Sequence, residues 1–140
     1  MEESKIKHLE FIQNVITRMN SNSFQIKGLV ITIVSALLAV YASNKNEEFI
    51  LIAIAPTILL WFLDAYYLQQ ERKFRGLYND VSGVNENPKE IKNFEMRPDK
   101  YTGGKYNYLR VFFSRTIWPI YCVIALGLLL TYKFITCTNG

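Results

Sequence analysis

Three unbroken apolar blocks constrain what this chain can fold into. They cover residues 24–42 (FQIKGLVITIVSALLAVYA), 49–68 (FILIAIAPTILLWFLDAYYL) and about 111–131 (VFFSRTIWPIYCVIALGLLLT). Each holds a single charge: Lys27, Asp64 and Arg115 respectively. A helix needs roughly 20 residues at about 1.5 Å each to cross about 30 Å of hydrocarbon. Helices buried in a soluble bundle keep a polar face, whereas these blocks are apolar around most of their circumference. The sequence therefore predicts an all-α integral membrane protein with three transmembrane helices. At 140 residues it has room for one compact unit.

The charges lie between the blocks, and their distribution predicts an orientation. Residues 1–23 carry three Lys or Arg and the connection 69–110 carries nine. On the other side lie only Lys45, in the short connection 43–48, and Lys133, after the third block. The positive-inside rule puts the amino terminus and the long connection in the cytoplasm and the carboxyl terminus outside. Tyr66, Tyr67, Tyr106 and Tyr108 would mark the inner boundary, Tyr41 and Tyr132 the outer one. Polar, mixed-charge residues before the first block argue against a cleaved signal peptide. The expected location is a cell membrane, crossed as a multi-pass protein, with the bilayer itself as the first partner.

Two cytoplasmic pieces accompany the spans. Residues 1–23 form the first unit, an amphipathic helix with Ile6, Leu9, Ile12, Val15, Ile16 and Met19 at three- and four-residue steps, opposite Lys5, His8, Glu10, Asn14 and Arg18. It suits either the membrane surface or packing against other helices. Asn20, Ser21, Asn22 and Ser23 are expected to interrupt it and cap the first span. The second unit, 24–140, is the three-span domain with its cytoplasmic connection 69–110. The second span should extend into the cytoplasm through QQERKFRGLYNDV as far as Ser82 and Gly83, about 50 Å in all. Asn87, Pro88 and Glu90 read as the start of a short helix over 88–95.

Asp64 is the strongest single signal. An ionised carboxylate in hydrocarbon costs at least about 2.5 kcal/mol, so it should face protein or water. Thr57, Trp61, Asp64 and Glu71 share one helical face. Arg115 sits at matching depth in the third block, which predicts an Asp64–Arg115 pair within or between subunits. Such a pair serves either structure or gating. Lys27, near the inner edge, is expected to snorkel. Gly28, Thr32, Ser35 and Ala39 form a small and hydroxylated face that suits helix packing or a pore lining. Pro56 and Pro119 should kink their helices.

The connection interleaves its nine basic and six acidic residues with aromatic ones. Arg72, Arg75, Lys89, Lys92, Arg97, Lys100, Lys105 and Tyr101 are candidates for binding a nucleotide or oligonucleotide by charge and stacking. The same basic residues also serve as anchors facing anionic lipid. His8 is the only histidine, and Cys122 and Cys137 lack metal-ligand spacing, so no metal site or cofactor is expected. Fifteen residues of helix, about 22 Å, argue against a disulfide between those cysteines. No HExxH, GxSxG, phosphate-binding glycine loop or carboxylate dyad is present, so no enzymatic activity is expected.

Three stretches, RMNSNSFQIKGLVIT, WFLDAYYLQQERKFRGLYNDV and FFSRTIWPIY, carry a resemblance. Together they resemble small three-span bacterial membrane effectors of antiphage defence, and among these the ion-channel effectors of Hailong-type systems. In such systems a partner nucleotidyltransferase supplies an oligonucleotide signal. The resemblance implies an oligomeric channel gated from the cytoplasm, with Asp64 and residues 69–75 as functional positions. It also implies a partner protein encoded nearby and a bacterial inner membrane as the location. The larger ligand-binding addition expected of that effector finds little room in 140 residues. Three helices cannot enclose a wet pathway, so a pore requires a homo-oligomer. The rival expectations are a non-conducting adaptor that scaffolds a partner through its amino-terminal helix, and a small proton-coupled transporter using Asp64.

Overall fold

A computed structural model describes residues 2–84, 88–92 and 94–139, and every regular element among them is helical. The first helix, α1 (Glu2–Asn44), is 43 residues long, about 65 Å at helical rise. It passes through residues 20–23 without the expected interruption. Asn and Ser are only about 0.5–0.7 kcal/mol per residue worse than Ala in a helix, and packing outweighs that. Ser23 itself is buried, on the face that also buries His8, Ile12, Ile16, Ile26, Val30 and Val34.

A three-residue turn reverses the chain. Lys45 adopts a left-handed conformation (φ 57°), and the Asn46 side chain accepts the Glu48 N–H at 3.0 Å. The second helix, α2 (Glu48–Ser82), then runs back along α1 for 35 residues. It passes through Pro56 and continues from the apolar block into the charged sequence beyond it. Gly83 ends it, with φ 79° and its N–H bonded to the Asn79 carbonyl.

The connection holds two single 3₁₀ turns, Pro98–Lys100 and Gly104–Tyr106. The short helix expected over 88–95 is not formed by the described residues of that stretch, and Asn87, its expected cap, lies outside them. Side chains bind this backbone instead: Glu95 accepts the Lys92 N–H at 2.9 Å, and the Lys89 ammonium donates to the Lys100 carbonyl.

The third apolar block is split. A short helix, α3 (Tyr108–Phe112), is capped by the Asn107 side chain and followed by a turn over residues 113–117. The last helix, α4 (Trp118–Asn139), begins only then. Pro119, expected as a kink, is instead the second residue of α4, where its missing N–H and fixed φ suit a helix start. That start moves Arg115 out of the helix and into the turn, where it is exposed.

Helix α2 lies at the centre. In its apolar half Ile50 and Ala53 pack with Val30 and Val34 of α1 and with Tyr121 and Leu128 of α4. In its charged half Phe74 and Leu77 pack with Ile12 and Ile16 of α1 and with Tyr101. Gly76 is required there, because a Cβ would stand 2.9 Å from Tyr101 Cδ1 and also meet the Tyr106 hydroxyl. A smaller cluster of Ala65, Val111 and Phe112 docks α3 on α2.

Large apolar side chains remain exposed, above all on α4, where Val123, Leu126, Leu130 and Phe134 are bare. Helices α1, α2 and α4 are long and apolar enough to cross a membrane, as a multi-pass protein requires. Hydroxyls on these helices bond their own backbone: Thr32, Thr131 and Thr136 each donate to the carbonyl four residues earlier, at 2.7–2.8 Å. Cys122 and Cys137 are free thiols.

Candidate functional site

Where three helices meet, Asp64 is fully buried and fully coordinated. Lys27 of α1 places its ammonium 2.6 Å from Oδ2, and Tyr121 of α4 donates its hydroxyl to the same oxygen at 2.7 Å. The Ser23 hydroxyl donates to Oδ1 and accepts from the Lys27 ammonium at 2.8 Å. Four residues from three helices thus form one polar cluster inside an otherwise apolar bundle.

This arrangement overturns the expected pairing with Arg115, which is exposed in the 113–117 turn. Lys27 does not snorkel away: its side chain is one-fifth exposed and held by Asp64 and Ser23. The helical hairpin explains why. With the turn centred near residue 46, position 64 comes opposite about residue 28, and Lys27 is the only charged residue of the first apolar block. Reflection through a short turn locates the partner, whereas matching distances from the membrane edge does not.

Aromatic packing surrounds the cluster. Trp61 stacks on Phe112 at 4.3 Å and on Tyr121 at 5.9 Å. Its indole N–H donates to the Phe112 carbonyl at 3.1 Å, which satisfies the end of α3. The Tyr108 hydroxyl donates to the Phe62 carbonyl at 2.7 Å, fixing the other end of α3 on α2. Beside the cluster is a cavity of about 290 Å³ lined by Asn20, Ser23, Lys27, Leu68, Glu71 and Thr116, among others. It gives the ammonium side of the pair a polar neighbourhood at the charged end of the bundle.

The other pore and gating candidates are dispersed. Thr57 is buried and its hydroxyl is bonded to the Ala53 carbonyl at 2.9 Å. Glu71 is buried and paired with Arg75 of its own helix at 2.8 Å. Thr32 and Ser35 are exposed on α1, and Gly28 beside them has no neighbour within 4 Å of an added Cβ.

In the connection, several basic and aromatic candidates are committed to the fold. Tyr101 is buried, and its hydroxyl donates to Asp80 at 2.5 Å. Burial and that carboxylate push its phenol well above the ordinary value near 10. Lys89 lies 4.4 Å from the Tyr101 ring centroid. Lys100 pairs with Glu95 at 3.0 Å, and Arg97 with Asp99 at 2.9 Å. The Lys92 N–H and the Lys100 ammonium hold the Glu95 carboxyl below its usual value. Arg72 donates to the Lys105 carbonyl at 3.0 Å, and the Lys105 ammonium lies 5.3 Å from the Tyr106 ring centroid. The candidates do not converge on one stacking platform.

His8, expected on the polar face of the amino-terminal helix, is instead buried, with Nε2 2.8 Å from the Glu95 carbonyl. Together with Asp80, Lys5, Lys89 and Glu90 it lines a cavity of about 540 Å³. Its position on the same helical face as Ile12 and Ile16 was the available signal. Among the described residues no group of three or more His, Cys, Asp or Glu could hold a metal ion. No protein-family model, curated protein or solved structure matches this chain.

Proposed function

We propose that the protein is a subunit of a homo-oligomeric channel in a bacterial inner membrane, opened from the cytoplasmic side by a nucleotide signal or a partner protein. The observation that carries this reading is the Gly28, Thr32, Ser35 and Ala39 face of α1, which is exposed rather than packed on the chain's own core. Small residues let backbones approach closely in lipid, and hydroxyls tolerate water. A single copy leaves this face without a neighbour, and symmetric assembly supplies one. The resemblance to channel effectors of antiphage defence supports the same reading, as does the bias of Lys and Arg toward residues 1–23 and 69–110.

In this reading the Asp64–Lys27 pair is a latch rather than a pore lining. It joins α1 to α2 at the level where α2 leaves the apolar core, so a signal reaching the charged half of α2 acts through it. Planar-bilayer recording tests the proposal. Purified wild-type protein should give discrete currents, and Ser35→Phe, which fills the exposed face, should abolish them without changing helix content. A correctly folded wild-type protein that never conducts would overturn the channel.

An adaptor is the second reading, favoured by one apolar patch at the opposite end of α1. Ile6 and Phe11 are exposed there, and Phe94 lies 5.7 Å from the Phe11 ring. A scaffold would bind its partner through these residues. Ile12 and Ile16, which also face this end, are already buried against α2.

A further inference from the structure

Arg72 of α2, Arg110 of α3 and Arg115 of the following turn border one open cavity of about 460 Å³, together with Phe113, Ser114 and Thr116. Among the described residues no acidic one lines it. Arg72 spends one N–H on the Lys105 carbonyl at 3.0 Å. Among the described residues neither Arg110 nor Arg115 makes an ion pair or side-chain hydrogen bond. Three guanidinium groups gathered without a carboxylate repel one another, and an anion at their centre reverses the sign of that interaction. The hydroxyls of Ser114 and Thr116, 3.0 Å apart, add donors at the rim.

The surroundings define which anion fits. Phe113, which lines the cavity, and Leu109 and Trp118, close to the lining residues in sequence, are each at least 42% exposed. The cavity lies where α4 begins, at the boundary between apolar and charged halves of the molecule. A ligand with a phosphate at one end and hydrocarbon at the other matches both sets of side chains. Guanidinium groups hold phosphate oxygens in a two-pronged geometry that lysine cannot reproduce. We infer that this cavity is a binding site for the phosphate of an anionic phospholipid headgroup, with the acyl chains against Phe113 and Trp118. Thr116 also lines the cavity beside Lys27 and Ser23, so an occupied headgroup site adjoins the latch at Asp64. The inference rests on the membrane-spanning part of the proposed function and not on conduction.

Native mass spectrometry of the detergent-purified protein provides the test, with phosphatidylglycerol and phosphatidylcholine of identical acyl chains as probes. Wild-type protein should retain phosphatidylglycerol in preference to phosphatidylcholine. Arg110→Gln/Arg115→Gln should weaken phosphatidylglycerol binding about thirtyfold, at the usual contribution of each basic residue near an anionic headgroup, and leave phosphatidylcholine binding unchanged. Arg110→Lys/Arg115→Lys keeps the charge but not the two-pronged geometry, so it should lose part of the preference, which keeps the test decisive if the glutamine variant fails to fold. Equal binding of the two lipids, or a preference untouched by losing both arginines, would overturn the site. Displacement of the lipid by millimolar inorganic phosphate or a short oligonucleotide would also overturn it, in favour of a soluble phosphate ligand. Alkaline extraction of membranes separates the two levels of failure. Protein released by carbonate refutes the membrane reading, whereas protein retained without lipid preference refutes this site alone.

Discussion

Replacing Lys27 by Met should destabilise the protein more than replacing its partner Asp64 by Asn, and the asymmetry follows from the geometry. Asp64 has no exposure, while the Lys27 side chain keeps 20%. Without Lys27 the carboxylate remains buried with only the Ser23 and Tyr121 hydroxyls to stabilise it. Breaking a buried pair in this way costs about 3–5 kcal/mol. Without the carboxylate charge, Lys27 still bonds Ser23 at 2.8 Å and can swing its flexible stem toward the adjoining cavity. The Asn amide still offers an oxygen to the Tyr121 hydroxyl. That loss should be nearer the value of one hydrogen bond to a charged group, about 1.5–3 kcal/mol. The double variant Lys27→Met/Asp64→Asn should cost no more than Lys27→Met alone, a coupling at least as large as the Asp64→Asn cost, about 1.5–3 kcal/mol. Unfolding by SDS in mixed micelles measures all three, read by Trp61 fluorescence in a Trp118→Phe background. Trp61 stacks on Tyr121, so its emission reports the cluster directly. Equal single costs that add in the double variant would refute the latch.

Glycine positions separate packing at the two ends of the bundle. Gly76→Ala should destabilise by about 1–3 kcal/mol through overpacking against Tyr101, visible as faster amide exchange around residues 74–80. Gly28→Ala meets nothing within 4 Å, so in dispersed monomer it should be neutral or stabilise by up to about 1 kcal/mol through helix propensity. Tyr101 predicts an alkaline limit. Its folded pKa is raised, so its contribution is complete below about pH 10 and is lost as pH rises beyond it. Tyr101→Phe should flatten that alkaline slope in a pH series of unfolding midpoints. Glu95 predicts the opposite limb. Its folded pKa is lowered, so its contribution is complete above the ordinary value of 4.5 and is lost as pH falls. Glu95→Gln should remove that acid-side slope.

The long helices were legible because their signals are strong and local. The second apolar block passes without a breaker into a helical charged run, and Gly83 stops it, so both extent and end could be read. The continuity of α1 was not legible, because four polar residues look like a cap until their burial against a neighbour is known. The third block misled for a related reason. Its composition stays apolar through Phe112 and Phe113, and only the position of Pro119 distinguishes a helix start from a kink. Asp64 was legible as a buried carboxylate that needs company. Its company depended on the register of the hairpin, which a three-residue turn fixes but hydropathy does not reveal. In the connection, composition could not separate ligand-binding side chains from structural ones. Tyr101 proved to be core, and Lys89, Arg97 and Lys100 are engaged by neighbours.

Helix α2 carries three buried acids, Asp64, Glu71 and Asp80. Asp64 takes Lys27 and Ser23 from α1 and Tyr121 from α4, Glu71 takes Arg75 from its own helix, and Asp80 takes Tyr101 from the connection. On the membrane reading such anchoring matters because apolar helices gain little by meeting in lipid, where the tails are as apolar as leucine. Sliding α1 along α2 by one turn would exchange one set of aliphatic contacts for another, but it would strip Asp64 of its ammonium. The polar cluster therefore sets the register of the apolar half, while Ile12, Ile16, Phe74 and Leu77 hold the charged half by burial from water. Two different forces meet on α2 between residues 64 and 74. On the channel reading that junction is where a displacement of the charged half becomes a change in how α1 is held, because the bonds from Lys27 and Ser23 to Asp64 resist it there.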